Sequence, residues 1–221
     1  MTLVVASSPL ELSGVESLAP EMRENLKILP IGVGKVNATL NTLLAIQKYS
    51  PSLIVVTGSC GAIREELEIG DLLFPNRVLQ WDIDLERFGW PRGSLPSASG
   101  EIEGTLEFSP LSEEYSSYRG RGVKHGVALG SGDHFLIRSE REKMGWLIDE
   151  LNLWAVDMES YGVVKAAQAM GVEVTIGRFV SDDARGRRPK NFEKMIREAS
   201  ADLFALLSQS LIEREKFPII L

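Results

Sequence analysis

The stretch "TIGRFVSDDARG", residues 175–186, runs as an apolar strand into two adjacent carboxylates, Asp182 and Asp183. A carboxylate where a buried strand meets a loop either caps the turn and the next helix or exchanges a proton with a ligand. A third carboxylate, Glu159, lies in "WAVDMESYGVVKAAQAMG" (154–171), where Asp157 is placed to cap a helix and Gly171 to end it. Glu159 then falls in the first turn, where the helix dipole alone favours a negative charge. It also shares a helical face with Val163, Ala166 and Met170, at spacings of four, seven and eleven. A carboxylate heading a buried apolar stripe is costly unless something donates hydrogen bonds to it, and a diol would do so.

Two further strand ends carry glycines. "GVGKVNATLNTLLA" (32–45) sets glycines, Lys35 and Asn37 at a helix start, which either builds a tight turn or lets the backbone approach an anion. Its spacing is neither that of a Walker loop nor that of a Rossmann fingerprint. "VVTGSCGAI" (55–63) presents the Ser59 hydroxyl at a strand tip, while Cys60, among apolar neighbours, reads as a buried structural thiol. His125 and His134 are too few and too separated for a metal site, and His134 reads as a loop histidine. No metal and no cofactor are expected.

The elements that must position these groups follow from short Val/Ile/Leu runs alternating with helical patterns. Strands are expected over 3–6, 28–31, 53–57, 71–74, 126–129 and 172–180, and helices over 36–49, 139–151, 157–170 and 192–214. That order predicts an α/β fold with a largely parallel, covered sheet, residues 1–221 forming one domain. Several strands end in small or glycine-bearing loops, and ligands of open α/β sheets bind beyond strand carboxyl ends. Residues 90–119 read as a Gly/Ser/Pro-rich excursion, and "RGRRPK" (185–190) as a solvated loop. With 44% hydrophobic and 25% charged residues, the composition is that of an ordinary globular protein. A formal net charge of -7 argues against nucleic acid or an anionic membrane as the main partner. One cysteine and a start without a basic leader fit a cytoplasmic protein.

In order along the chain, "GVGKVNA", "VVTGSCGAIREELEIGDLL", "WDIDLERFGWPRGSLP", "GSGDHFL", "AVDMES" and "GRFVSDDA" resemble the nucleoside phosphorylase/nucleosidase superfamily. The match is nearest to its 5′-methylthioadenosine/S-adenosylhomocysteine nucleosidase branch. The resemblance implies a mixed central sheet, partly closed as a barrel and flanked by helices. It implies hydrolysis of the adenine N-glycosidic bond of a purine nucleoside, 5′-methylthioadenosine or S-adenosylhomocysteine, without a cofactor, and a homodimer. By position, Asp182 would be the acid that protonates purine N7, with Ser181 holding it, and Glu11 the carboxylate that activates water. Glu159 would accept the ribose hydroxyls beside Met158. Phe135 would stack on the base, the backbone of Leu136 would read its edge, and Ser59 would lie by the water or anion pocket. Phe88 and Pro96, in a loop that this family lends to a neighbouring subunit, would complete the partner's site.

Hydrolysis is favoured over phosphorolysis by what is missing. The phosphorylase branch has an arginine two residues before its Gly-Ser pair and another after its first strand. Here Val56 holds the first position, and "ASSPLELSG" (6–14) contains no arginine. An attacking phosphate needs such cations, whereas Glu11 would repel it. The chain also departs from the branch. Ser7-Ser8-Pro9-Leu10 replaces an acidic cluster, a hairpin before "GVGK" is shortened, and Trp81 stands where histidine is expected. A futalosine-type hydrolase, a purine nucleoside phosphorylase and a noncatalytic nucleoside-binding relative are the alternatives.

Overall fold

The computed structural model describes residues 1–110, 115–183 and 185–216, with backbone only over 210–216. In chain order the long strands are β1 (Thr2–Ala6), β2 (Leu26–Pro30), β3 (Leu53–Val56), β4 (Ser59–Ala62) and β5 (Leu72–Gln80). Short strands β6 (Leu95–Pro96), β7 (Ile102–Glu103), β8 (Leu106–Glu107) and β9 (Ser117–Tyr118) follow. Then come β10 (Arg121–Ser131), β11 (Leu153–Asp157), β12 (Glu173–Ile176) and β13 (Arg178–Asp182). The helices are α1 (Pro20–Glu24), α2 (Lys35–Tyr49), α3 (Arg138–Arg141), α4 (Trp146–Asp149), α5 (Ser160–Ala169) and α6 (Phe192–Lys216).

The strands build two main sheets rather than one, with β6 and β7 pairing as a separate antiparallel ribbon. The first is four-stranded and wholly parallel, in the order β12-β3-β1-β2. In the second, β5, β13, β4, β11 and β10 form a closed ring, because β10 pairs back in parallel with β5. The strand β8 adds to β5 outside the ring, and β9 to β10. The fully apolar "LIVV" of β3 is buried throughout, as a parallel strand covered on both faces must be.

Two stretches of chain pass from one sheet into the other. β3 and β4 are separated only by Thr57-Gly58, and β12 and β13 only by Gly177. Before these breaks Ile176 pairs with Val56 in the parallel sheet, and after them Phe179 pairs with Ser59 in the barrel. Gly58 turns the corner at φ +130°, a region that L side chains rarely enter, and a Cβ there would lie 2.6 Å from Arg178 Nη1.

The expected elements are corrected at three places. The strand over 172–180 is two strands in different sheets with Gly177 between them, where a Cβ would come within 3.0 Å of Leu203 and 3.3 Å of Phe74. The helix over 139–151 is the two short helices α3 and α4, separated by residues 142–145. The helix over 157–170 starts only at Ser160, since Asp157 still belongs to β11, and Glu159 holds the N-cap position. Strands 71–74 and 126–129 extend to 9 and 11 residues. Part of the 90–119 excursion, 111–114, lies outside the described residues. Nearer its start, Arg92 lies 4.3 Å over the Trp146 ring and bonds to Asp84 and Glu150, fastening that loop to α4.

Helix α2 buries Ala38, Thr42, Ala45 and Ile46 and packs closely on α5. The contact depends on Gly162, where a Cβ would come within 2.6 Å of Lys35 O and Thr39 Oγ1. Helix α6 covers the other side, Ser200 Oγ accepting from Gly14 N at 2.9 Å. Among the described residues no helix is long and apolar enough to cross a membrane.

Gly162→Ala should therefore push α2 from α5 and destabilise the fold by about 1–3 kcal/mol. Urea unfolding followed by circular dichroism reads this, and an unchanged midpoint would show that the two helices do not meet as described.

Candidate active site

The corner where the chain changes sheets collects charge. Arg178, the first residue of β13, is fully buried. Its guanidinium donates to Thr57 O at 3.0 Å, Asp157 Oδ2 at 2.5 Å and Ser160 Oγ at 2.9 Å, and lies 3.8 Å from Glu159 Oε2. Burial works against its charge, but Asp157, Glu159 and Glu11 outweigh that and hold its pKa above the usual arginine value.

Glu11, in the loop after β1, is buried and accepts hydrogen bonds from Ser59 N at 2.8 Å, Ser59 Oγ at 2.6 Å and Ser7 Oγ. Ser7 thus does part of what an acidic cluster would leave undone, supplying a donor to the carboxylate. Glu159 is also buried, and Gly34 N at the start of α2 donates to its Oε1 at 3.1 Å. Burial first, then the Asp157 charge, raises its pKa to about 7, against the pull of Arg178 and Gly34. Asp157 is fixed by Ser131 Oγ at 2.5 Å and by the Ser160 N–H, so its carboxylate does serve the helix start from outside the helix. Of the apolar stripe expected with Glu159, Val163 and Ala166 are buried but Met170 is exposed at the helix end.

Asp182 ends β13, beside β4, and is 9% exposed. Its neighbours are Ser181 Oγ at 3.1 Å and Arg141 Nη2 at 3.4 Å. Burial raises its pKa, while Ser181 and Arg141 restrain the rise. β4 passes close to this carboxyl, a Cβ at Gly61 standing 3.2 Å from Oδ1. Asp183 is different: its carboxylate accepts from Arg185 N, Arg187 N and the Arg187 guanidinium. Burial pushes it up, but those bonds win and lower its pKa, so it organises the turn. The remaining arginines of 185–190 are exposed, as expected for a solvated loop.

Asp182 opens on a cleft of about 550 Å³ lined also by Phe135, Leu136, Arg138, Arg141 and Arg188. Phe135 is half exposed with the Arg188 guanidinium 4.8 Å above its ring, and Leu136 is buried beneath. Another cavity of about 500 Å³ lies between α6 and the amino ends of β1 and β3, away from the converging carboxylates.

Thus Asp182, Phe135 and Leu136 gather at one cleft, with Ser181 bonded to Asp182 behind it, and Glu11 and Glu159 gather round Arg178, with Ser59 on Glu11 and Met158 half-buried beside Glu159. Phe88, 70% exposed, and Pro96, also exposed, line neither group within this chain. Sequence reasoning missed Arg178, Arg141 and the site role of Asp157. A basic residue inside an otherwise apolar strand was the available signal for Arg178. Val56 and the 6–14 segment carry no arginine, as expected, but Arg178 brings a cation to the corner from β13, where it is shared by three carboxylates.

A protein of Staphylococcus haemolyticus named 5′-methylthioadenosine/S-adenosylhomocysteine nucleosidase is 33% identical over 182 residues, covering 82% of this chain and 78% of its own. An aminodeoxyfutalosine nucleosidase of Helicobacter pylori is 30% identical over 181 residues, covering 82% and 77%. The structure of 5′-methylthioadenosine/S-adenosylhomocysteine nucleosidase from Helicobacter pylori with butyl-thio-DADMe-Immucillin-A is similar in fold, with a TM-score of 0.80 at 22% identity over 96% of this chain and 97% of that one. The family model described as Phosphorylase superfamily matches residues 24–212, nearly the whole of both sheets and their helices, and the chain belongs to that superfamily.

Proposed function

We propose that this protein is a nucleosidase that hydrolyses the N-glycosidic bond of 5′-methylthioadenosine or S-adenosylhomocysteine and releases adenine, the whole chain acting as one domain. The observation that carries the reading is a burial-raised Asp182 at the end of β13, with buried Glu11 and Glu159 set around Arg178 at the start of the same strand. The aminodeoxyfutalosine nucleosidase among the relatives supports a second reading, the same bond broken beneath a different 5′ substituent.

Cleaving C1′–N9 leaves positive charge on the ribose and negative charge on the base. Asp182 gives its proton to N7 as the bond breaks, and Phe135 and Leu136 hold the base against it. Glu159 accepts the 2′- and 3′-hydroxyls and faces the cationic ribose, with Met158 alongside. Glu11, aligned by Ser59, takes a proton from the water that attacks C1′. One proton leaves Asp182 and one arrives at Glu11, so transfer through solvent resets both. Phosphate would meet three carboxylates around one arginine, which favours water as the nucleophile.

The proposal extends to a cytoplasmic homodimer. The stripe Val36, Leu40 and Leu44 on α2 is exposed, as is Phe88, which suits a face covered by a second copy that receives Phe88 and Pro96. Cys60 is a buried free thiol, compatible with a reducing compartment, and cell fractionation checks the location. Sedimentation velocity at micromolar protein should give twice the chain mass, and a species of one chain mass would remove the dimer.

The assay for the reaction is chromatographic detection of free adenine from methylthioadenosine, with and without phosphate. Release should be independent of phosphate, and a strict phosphate requirement would sink the hydrolase reading. Asp182→Asn should lower turnover about 10²–10⁴-fold while still binding the nucleoside. Near-normal turnover in that variant would remove the acid from the mechanism.

The raised pKa of Glu159 sets a pH dependence whose sign is fixed. A diol donates to the ionised carboxylate, so binding competes with a proton that the free site holds below about pH 7. Affinity should be full above that value, weaken as pH falls through it, and be accompanied by proton release near neutrality. Calorimetry of methylthioadenosine binding to Asp182→Asn protein, in buffers of different ionisation enthalpy, measures the proton. An equal pH dependence after the further change Glu159→Gln would assign it elsewhere.

A further inference from the structure

Arg141 is buried, 8% exposed, although it ends a single-turn helix whose other residues are exposed or half-exposed. Its Nη1 donates to Ala62 O at the end of β4 and to Asp183 O at 2.8 Å, and Nη2 reaches Asp182 Oδ1 at 3.4 Å. One guanidinium therefore joins the tip of β4, the tip of β13 and helix α3, which begins three residues after Phe135. Its Nε–H is buried with no partner among the described residues. A buried arginine with an unpaired donor adds little to stability compared with a well-packed apolar side chain. Stability alone thus does not account for it.

We infer that Arg141 is a positioning residue for the reaction, holding the Asp182 carboxyl at the base cleft and receiving the negative charge left there when the proton has moved to the purine. The inference rests on Asp182 acting as the acid in the proposed hydrolysis. Oδ2 of Asp182 faces the Ser181 hydroxyl and Oδ1 faces Arg141, so the carboxyl plane is set from both sides. Proton transfer converts a neutral carboxyl into a carboxylate beside a fixed cation, which favours the forward step. The other groups facing Asp182 are Cys60 from β4, Arg138 and Glu142 around α3, and Asp183 and Arg188 from the following loop. Asp183 is engaged by Arg187 and Arg138 by Glu142, while Arg188 stands over Phe135. That leaves Arg141 as the buried cation in contact with the acid.

The geometry also ties the acid to the base-binding loop. Leu136 and Arg141 lie five residues apart, and both line the cleft that Asp182 faces. A shift of α3 would move the surface under the base and the cation beside the acid together.

The test is the pH dependence of kcat/KM for methylthioadenosine, measured from adenine release by wild type, Arg141→Met, Arg141→Gln and Arg141→Lys. Both neutral variants should lose about 10–100-fold in kcat with KM changed less than about threefold. Their basic limb should move up by about one pH unit or more, because a nearby cation normally lowers a carboxyl's pKa by that much. Arg141→Lys should keep the limb near its wild-type position and recover part of kcat. If one neutral variant does not fold, the other carries the comparison, and the lysine variant should still retain the limb. A limb unmoved in a folded neutral variant, or a lysine variant no better than it, would overturn the inference. Failure of wild type to release adenine from methylthioadenosine, adenosylhomocysteine or aminodeoxyfutalosine would instead overturn the nucleosidase reading.

Discussion

The buried guanidinium of Arg178 is what allows three carboxylates to share one dry corner. Glu11 arrives from the first loop, Asp157 from the end of β11 and Glu159 from the start of α5. Without a cation each would have to be solvated or neutralised, since isolated buried charge is too costly to keep. Arg178 meets them because the strand bearing it has just left one sheet for the other. The seam between the sheets and the charge cluster are thus one construction: the barrel cannot close as it does without placing the arginine there. Its bond to Thr57 O ties it to the crossing itself.

Around that fixed point the carboxylates are tuned by what touches them. Glu159 has one backbone donor and a distant arginine, so burial dominates and its pKa rises. Asp183, one residue from Asp182, has three N–H donors from its own loop and stays low. Asp182 lies between these extremes, burial raising it and two donors holding it back. Neighbouring side chains of identical chemistry are thereby given different roles by solvent and hydrogen bonding alone.

Much of this was legible in the sequence where the signal is local. Val/Ile runs marked β1 and β3, and glycine-bearing strand tips marked where a site would gather. A carboxylate at the head of an apolar helical face implied a hydrogen-bond donor, which Gly34 N supplies within the chain. What stayed hidden depends on distant pairings. Nothing local told that 172–180 would break at Gly177, because the side chains that leave little room for a Cβ there, Leu203 on α6 and Phe74 on β5, come from elsewhere in the chain. Arg141 looked like one charge among several in "RSEREK" until the ends of β4 and β13 closed over it. Asp157 was read as a helix cap, and its bonds to Ser131 and Arg178 come from residues 26 and 21 positions away.

The corners at Gly58 and Gly177 have a consequence for how such a protein can diversify. Each crossing takes one or two residues, with no slack into which an insertion could fit without pulling a strand from one of the sheets. The buried charge cluster is therefore locked to the scaffold's tightest point. The excursion between β5 and β10, by contrast, is joined to the rest through short strands and an arginine latch that other lengths could satisfy. Variation in that region leaves both main sheets and the Arg178 corner as they are, so change is tolerated at the periphery rather than at the core.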